Sequence, residues 1–194
     1  MKTSTTNNNL LLATILIITS LIWRVLSNQF SLFNFTPIIA MSLFAGARIQ
    51  NNKMALVIPI ITLFISDLVL AYLNNFSILH KTILFTYGSL ILIIALGKLL
   101  KNEKLNVAKT ASFSLLSSAI FFILTNFGVW LFGNLYTLNI DGLIKCYLMA
   151  IPFNKFSWLG DLAFSISFFM IYEWLSVKNS ISSTEFALEK NKLK

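Results

Sequence analysis

Seven residues hold most of the chemistry open to this chain: Arg24, Asn34, Asp67, Asn126, Trp130, Trp158 and Asp161. Their types suit binding better than catalysis. A guanidinium grips an anionic group through its planar fork of donors. Asp67, Asn126 and Asn34 would hold polar groups by hydrogen bonds. Trp130 and Trp158 offer large rigid faces that stack on a ligand or close over it. Asp161 is a second carboxylate and a second partner for Arg24.

Catalytic patterns are missing. There is no HExxH, no GxxxxGK[ST] and no CxxC. The one histidine, His80, and the one cysteine, Cys146, make a thiolate or imidazole metal site a poor fit and rule out an internal disulfide. No cofactor is implied. A paired-carboxylate hydrolase built on Asp67 and Asp161 is the one enzymatic arrangement left open, and nothing favours it.

These polar groups matter because of where they are embedded. The chain has 194 residues, 57% hydrophobic and 11% charged, with a mean hydropathy of +0.79. Soluble domains carry about 25% charged residues. Several apolar runs reach the roughly 17–25 residues that cross a bilayer. The chain therefore reads as an integral membrane protein, all-α, with the lipid bilayer as its first partner. The formal charge of +8 does not point to nucleic acid, because the basic residues sit in short loops between apolar runs.

The elements that position the seven follow from the apolar runs. Residues 1–9 are a polar tail without order, 10–177 a single transmembrane domain, and 178–194 a basic cytoplasmic tail. Leu10 to about Leu26 is the first membrane helix, and not a cleaved signal, since it is long and Arg24 sits just before any cut. Thr36-Pro37 starts a second, short helix running to Ala47. Met54–Leu73, Thr82–Leu100, Thr110–Phe132 and Ser157–Val177 complete six spans. Ser114 and Ser118 in the fifth form a small-xxx-small pair suited to close helix contact.

Between the last two spans, Gly133, Gly142, Pro152 and Gly160 interrupt a stretch too polar for one span and too apolar for an aqueous loop. We read Gly133–Ser157 as a re-entrant or lid-like segment that does not cross.

Six spans put both termini on one side. With the N-terminus inside, eleven of the fifteen basic residues are cytoplasmic and only Arg24, Lys81, Lys145 and Lys155 lie outside, as the positive-inside rule expects. This orientation sends Arg24, Asn34, Asp67, Asn126, Trp130, Trp158 and Asp161 to the outer half.

Each has a purely structural reading too. Asp67 suits an ion pair, Arg24 and Trp23 an interfacial anchor, Asn126 a staple between helices, and the tryptophans an interface belt. The signal is convergence. An ionised residue at the bilayer centre costs about 2.5–3.5 kcal/mol on insertion scales, so Arg24 and Asp67 should face one cavity and each other.

The blocks NFTPIIAMSLFAGA, PIITLFISDLVL, SSAIFFILTNFGVWLFGNLY and GLIKCYLMAIPFNKFSWLGDLAF cover much of residues 34–165. They resemble a family of uncharacterised bacterial inner-membrane proteins, similar in layout to the substrate-binding S components of energy-coupling factor (ECF) vitamin transporters. The resemblance implies cytoplasmic termini, a pocket open to the outside under a lid, and work with a membrane coupling protein and two ATPases. Many S components carry AxxxA in the first helix for that docking. Here Ala13 is followed four residues later by Ile17, so the pattern is absent.

The expected function is capture and uptake of a small, vitamin-like molecule at the bacterial inner membrane. The alternative is a non-transporting scaffold or assembly factor, in which the polar cluster is only a staple.

Overall fold

The computed structural model describes residues 2–30, 35–75, 77, 81–101 and 103–192, with side chains from Ile15 to Ser176. Asn34 and His80 lie outside the described residues. Among these residues there are six α-helices and no strand: α1 Lys2–Gln29, α2 Ile38–Arg48, α3 Asn52–Asn74, α4 Ile83–Gly97, α5 Val107–Phe132 and α6 Ile140–Lys192. A 3-10 turn, Lys98–Leu100, extends α4. Helix α2 packs most closely on α4, and α5 lies against both α4 and α6.

The all-α expectation holds, but the count of spans does not. Among the described residues three helices, not six, are long and apolar enough to cross a membrane: α3, α5, and α4 with its 3-10 turn (Ile83–Leu100). The 15–29 stretch of α1 and the whole of α2 are apolar but shorter. Helix α2 has 11 residues, about 16 Å at 1.5 Å per residue, against the roughly 30 Å of a bilayer core. Helix α6 carries Asp161 and Glu173 inside its apolar stretch, with Lys145 and Lys155 ahead of it.

The tail expectation also changes, because residues 2–9 form the first turns of α1. Large apolar side chains nevertheless remain uncovered on the outside, among them Val57, Ile61, Phe64 and Leu68 along α3. Patches of that kind mark a membrane or partner surface.

The short helix is the centre of the bundle. Every residue from Ile38 to Ala47 is buried, and α1, α3, α4, α5 and α6 all pack on α2. Phe44 meets Phe168, Phe169 and Tyr172 of α6 edge-on. Against α4 the backbones themselves touch. A Cβ on Gly46 would stand 2.0 Å from the Ile94 carbonyl oxygen, and one on Gly97 would stand 2.2 Å from that of Leu43. A helix enclosed in this way need not match the thickness of a bilayer, since Ile38 to Ala47 are buried in protein.

The largest departure concerns the stretch expected to be re-entrant. Gly133–Asn139 is a loop, after which α6 runs through Pro152 without a break. Asn139 starts it, its side-chain oxygen accepting the Gly142 N–H at 2.9 Å, and Asp141 in the first turn suits the positive end of the helix dipole. Proline removes one backbone donor, and tertiary contacts hold the rest. Tyr147 Oη donates to the Ile123 carbonyl at 2.8 Å, and the Cys146 thiol to that of Asn126 at 3.4 Å. The expected lid is thus the first turns of α6, laid along α5.

The pole where α2 ends is closed by Arg48. It donates to the carbonyls of Leu100 (2.8 Å) and Glu103 (3.0 Å), pairs with Glu173 at 3.2 Å, and stacks over Phe169. The opposite pole, where α2 begins, holds the pair of Arg24 and Asp67.

Candidate functional site

Arg24, in the last turns of α1, reaches across to α3. Its Nη2 lies 2.6 Å from Asp67 Oδ1. Its Nη1 donates to the Leu63 carbonyl at 3.3 Å and to Ser66 Oγ. Leu63, Ser66 and Asp67 stand at i, i+3 and i+4, so one face of α3 supplies all three acceptors. Ser66 passes its own hydrogen to the Leu63 carbonyl at 2.8 Å, which leaves its lone pairs free for Arg24. Tyr87 of α4 donates to the other Asp67 oxygen at 3.5 Å.

Beside the pair lies a cavity of about 560 Å³, walled by residues from all six helices and from the connections on either side. Helix α1 gives Arg24, Ser27 and Asn28; the start of α2 gives Thr36, Ile38 and Ile39; α3 gives Leu63 and Leu70; and α4 gives Thr86. Helix α5 gives Phe121, Phe122, Thr125, Asn126 and Val129, the following loop gives Tyr136, and α6 gives Cys146, Met149, Ala150, Phe153, Asn154 and Ser157. Among the described residues on the wall, Arg24 is the one ionised side chain. The rest are hydroxyls, amides, aromatics and aliphatics. No three His, Cys, Asp or Glu side chains converge among the described residues.

Of the six expected residues that are described, two line the cavity directly, Arg24 and Asn126. The Asn126 amide donates to the Phe122 carbonyl at 2.8 Å, so its side-chain oxygen is the free acceptor. Asp67 stands behind Arg24. Trp130 is off the wall: its indole N–H holds the Thr137 carbonyl at 3.0 Å and so fixes the loop before α6. Trp158 is 41% exposed on the outside of α6, because Ser157 and Asp161, one helical turn apart, take the inward face.

Asp161 does not meet Arg24 or Asp67. It is 1% exposed, with Oδ2 accepting from Ser118 (2.6 Å) and Ser157 (3.3 Å). Ser114 and Ser118 make the expected close contact, Ser114 meeting Ser165 of α6 at 3.0 Å.

Sequence reasoning missed Asn28, Thr86, Tyr136, Asn154 and Ser157. The signal was available in part. Cys146, Ala150, Asn154, Ser157, Asp161 and Ser165 recur at helical spacing, a stripe visible only if 140–177 is read as one helix.

Residues 4–184 match a family of unknown function, DUF6580. The chain belongs to that family. No curated protein and no solved structure matches it. None of these comparisons carries the likeness to S components, which rests on layout alone. The DUF6580 match takes in residues of all six helices, beginning two residues into α1 and stopping short of the end of α6.

Proposed function

We propose that the protein is an integral membrane component that captures a small molecule from the outer face for uptake. The observation that carries this reading is the cavity. Its volume of about 560 Å³ falls inside the ~300–1,000 Å³ of ordinary ligand sites. Its wall mixes apolar and aromatic surface with a few convergent polar groups, as such sites do. The chemistry suits a neutral or singly anionic molecule with a flat apolar body, its acidic end toward Arg24 and its polar edge toward Asn28, Asn126 and Asn154. The basic asymmetry across the loops supports an orientation with both termini in the cytoplasm and the cavity outward, in a bacterial inner membrane. Energy-driven release would need a partner such as a coupling protein with ATPases, since the chain has no nucleotide motif.

One observation favours the scaffold reading instead. Arg24 is already engaged by Asp67, Ser66 and the Leu63 carbonyl, as a staple would be. The test is a thermal-shift screen of the purified protein in nanodiscs against water-soluble vitamins and related metabolites. It is run beside Ala150→Trp, which fills the cavity from α6. A true ligand at 100 times its Kd stabilises by about 2.7 kcal/mol, a clear rise in Tm for the native chain and none for the variant. No stabilising compound, together with a deletion strain that grows like its parent on every one of them, would leave the scaffold reading standing.

A further inference from the structure

Asp161 is buried, and among the described residues no counter-charge pairs with it. The seam between α5 and α6 around it is made of hydroxyls: Ser114, Ser117, Ser118, Ser157 and Ser165 are all buried. Oδ1 has no hydrogen-bond partner. The ionisable groups of every helix packed against α6 are occupied or remote. On α5, Lys109 pairs with Glu103 at the opposite pole. Arg48 of α2 is held by Glu173 at that same pole. Arg24 of α1 is held by Asp67. On α6 itself, Lys145 and Lys155 are exposed, and Cys146, Tyr147 and Tyr172 lie three or more turns away. An ionised carboxylate with two hydroxyl donors and one bare oxygen bears a desolvation cost that the two donors offset only in part.

A proton removes that cost, and the hydroxyls are placed to accept it. Ser118 has a single hydrogen but two acceptors in reach, Asp161 Oδ2 at 2.6 Å and the Ser114 carbonyl at 3.1 Å. With Asp161 protonated on Oδ2, that O–H donates to Ser118 Oγ, and Ser118 donates to the Ser114 carbonyl, so each hydrogen has an acceptor. With Asp161 ionised, Ser118 turns to the carboxylate. Ser157 is the link outward, since it lines the cavity and also donates to Asp161.

We propose that Asp161 is a proton-binding site opening on the cavity through Ser157, so that filling the cavity and protonating Asp161 are coupled. The proton comes from hydronium reaching the cavity: one of its O–H bonds breaks to leave water as the O–H bond of the carboxylic acid forms, and no other bond changes. A ligand acceptor that takes the Ser157 hydrogen deprives the carboxylate of a donor and raises its affinity for a proton, and by linkage protonation favours that ligand. Intramembrane carboxylates are a recurrent means of proton coupling in transporters. The coupling rests on the capture reading; the proton site does not.

The test is infrared difference spectroscopy of the full chain in nanodiscs during a pH titration. The expected result is a protonated carboxylic acid band at neutral pH that Asp161→Asn abolishes and Asp67→Asn leaves in place. Ser157→Ala should raise its titration midpoint by about one pH unit, a tenfold gain in proton affinity, because a donor to the charged form is lost. If Asp161→Asn does not fold, Ser118→Ala serves, since loss of that hydroxyl must shift the band. The route is tested by deuterium exchange of the band in a Cys146→Ser, Asn154→Cys chain reacted with a bulky maleimide, which should slow the exchange severalfold. Absence of an acid band at neutral pH, or a band indifferent to both Asp161→Asn and Ser118→Ala, overturns the site. Unchanged exchange after labelling overturns the route. A band present with no ligand found in the thermal screen removes capture and leaves the proton site, and a ligand found with no band does the reverse.

Discussion

Replacing Asp67 by Asn removes a charge from a nearly closed site while keeping its size. Arg24 then retains the Ser66 hydroxyl and the Leu63 carbonyl, but its counter-charge is gone. Breaking a buried pair by removing one partner costs about 3–5 kcal/mol. The side chains here are 19% and 13% exposed, and Asn still offers one acceptor oxygen, so the expected loss is about 2–3 kcal/mol. For a chain of this length 1 kcal/mol moves Tm by about 2–4 °C, which gives a fall of roughly 5–10 °C.

The assay is thermal unfolding of the purified protein in detergent, followed by tryptophan fluorescence. Arg24→Gln with Asp67→Asn should recover most of the loss, because the remaining amides need no counter-charge. The double-mutant cycle then gives the coupling energy directly. Tyr87→Phe is the control, since its bond to Asp67 is long at 3.5 Å and its removal should cost under about 0.5 kcal/mol. A Tm for Asp67→Asn within a degree of the native chain, or a double variant weaker than both singles combined, refutes the paired geometry. If the pair also serves the cavity, the double variant regains stability without regaining ligand capture.

Gly97→Val should abolish folded protein, because its Cβ would meet the Leu43 carbonyl at 2.2 Å and backbone cannot yield there, whereas Gly88→Ala, with nothing within 4 Å, should leave yield and Tm unchanged; size-exclusion of both reads the difference. A reporter active only outside the cytoplasm, fused at Lys194, should stay silent, and activity there would reverse the orientation. Cysteines at Asn134 and Asn154 in a Cys146→Ser background should both label from the outer face, and labelling of only one would mean that the start of α6 lies deeper than the cavity requires.

The composition and the apolar runs were enough to indicate an all-helical chain with membrane-compatible helices, the approximate positions of α3, α4 and α5, and the meeting of Arg24 with Asp67. These follow from local quantities. Hydropathy is a property of each residue, and the cost of a lone charge in an apolar setting demands a partner wherever the chain goes. Rotation and enclosure are not local. Trp158 and Asp161 lie within one turn of α6, yet one faces outward and the other is sealed against α5, because packing decides which side of the helix turns inward. Pro152 and Gly142 read as breaks, and contacts from Cys146 and Tyr147 to α5 overrode them. Helix α2 read as a short span, but its place at the centre depends on Gly46 and Gly97, far apart in the chain, letting two backbones touch. The cavity was out of reach of the sequence for the same reason: its wall exists only once six helices have fixed their rotations against one another.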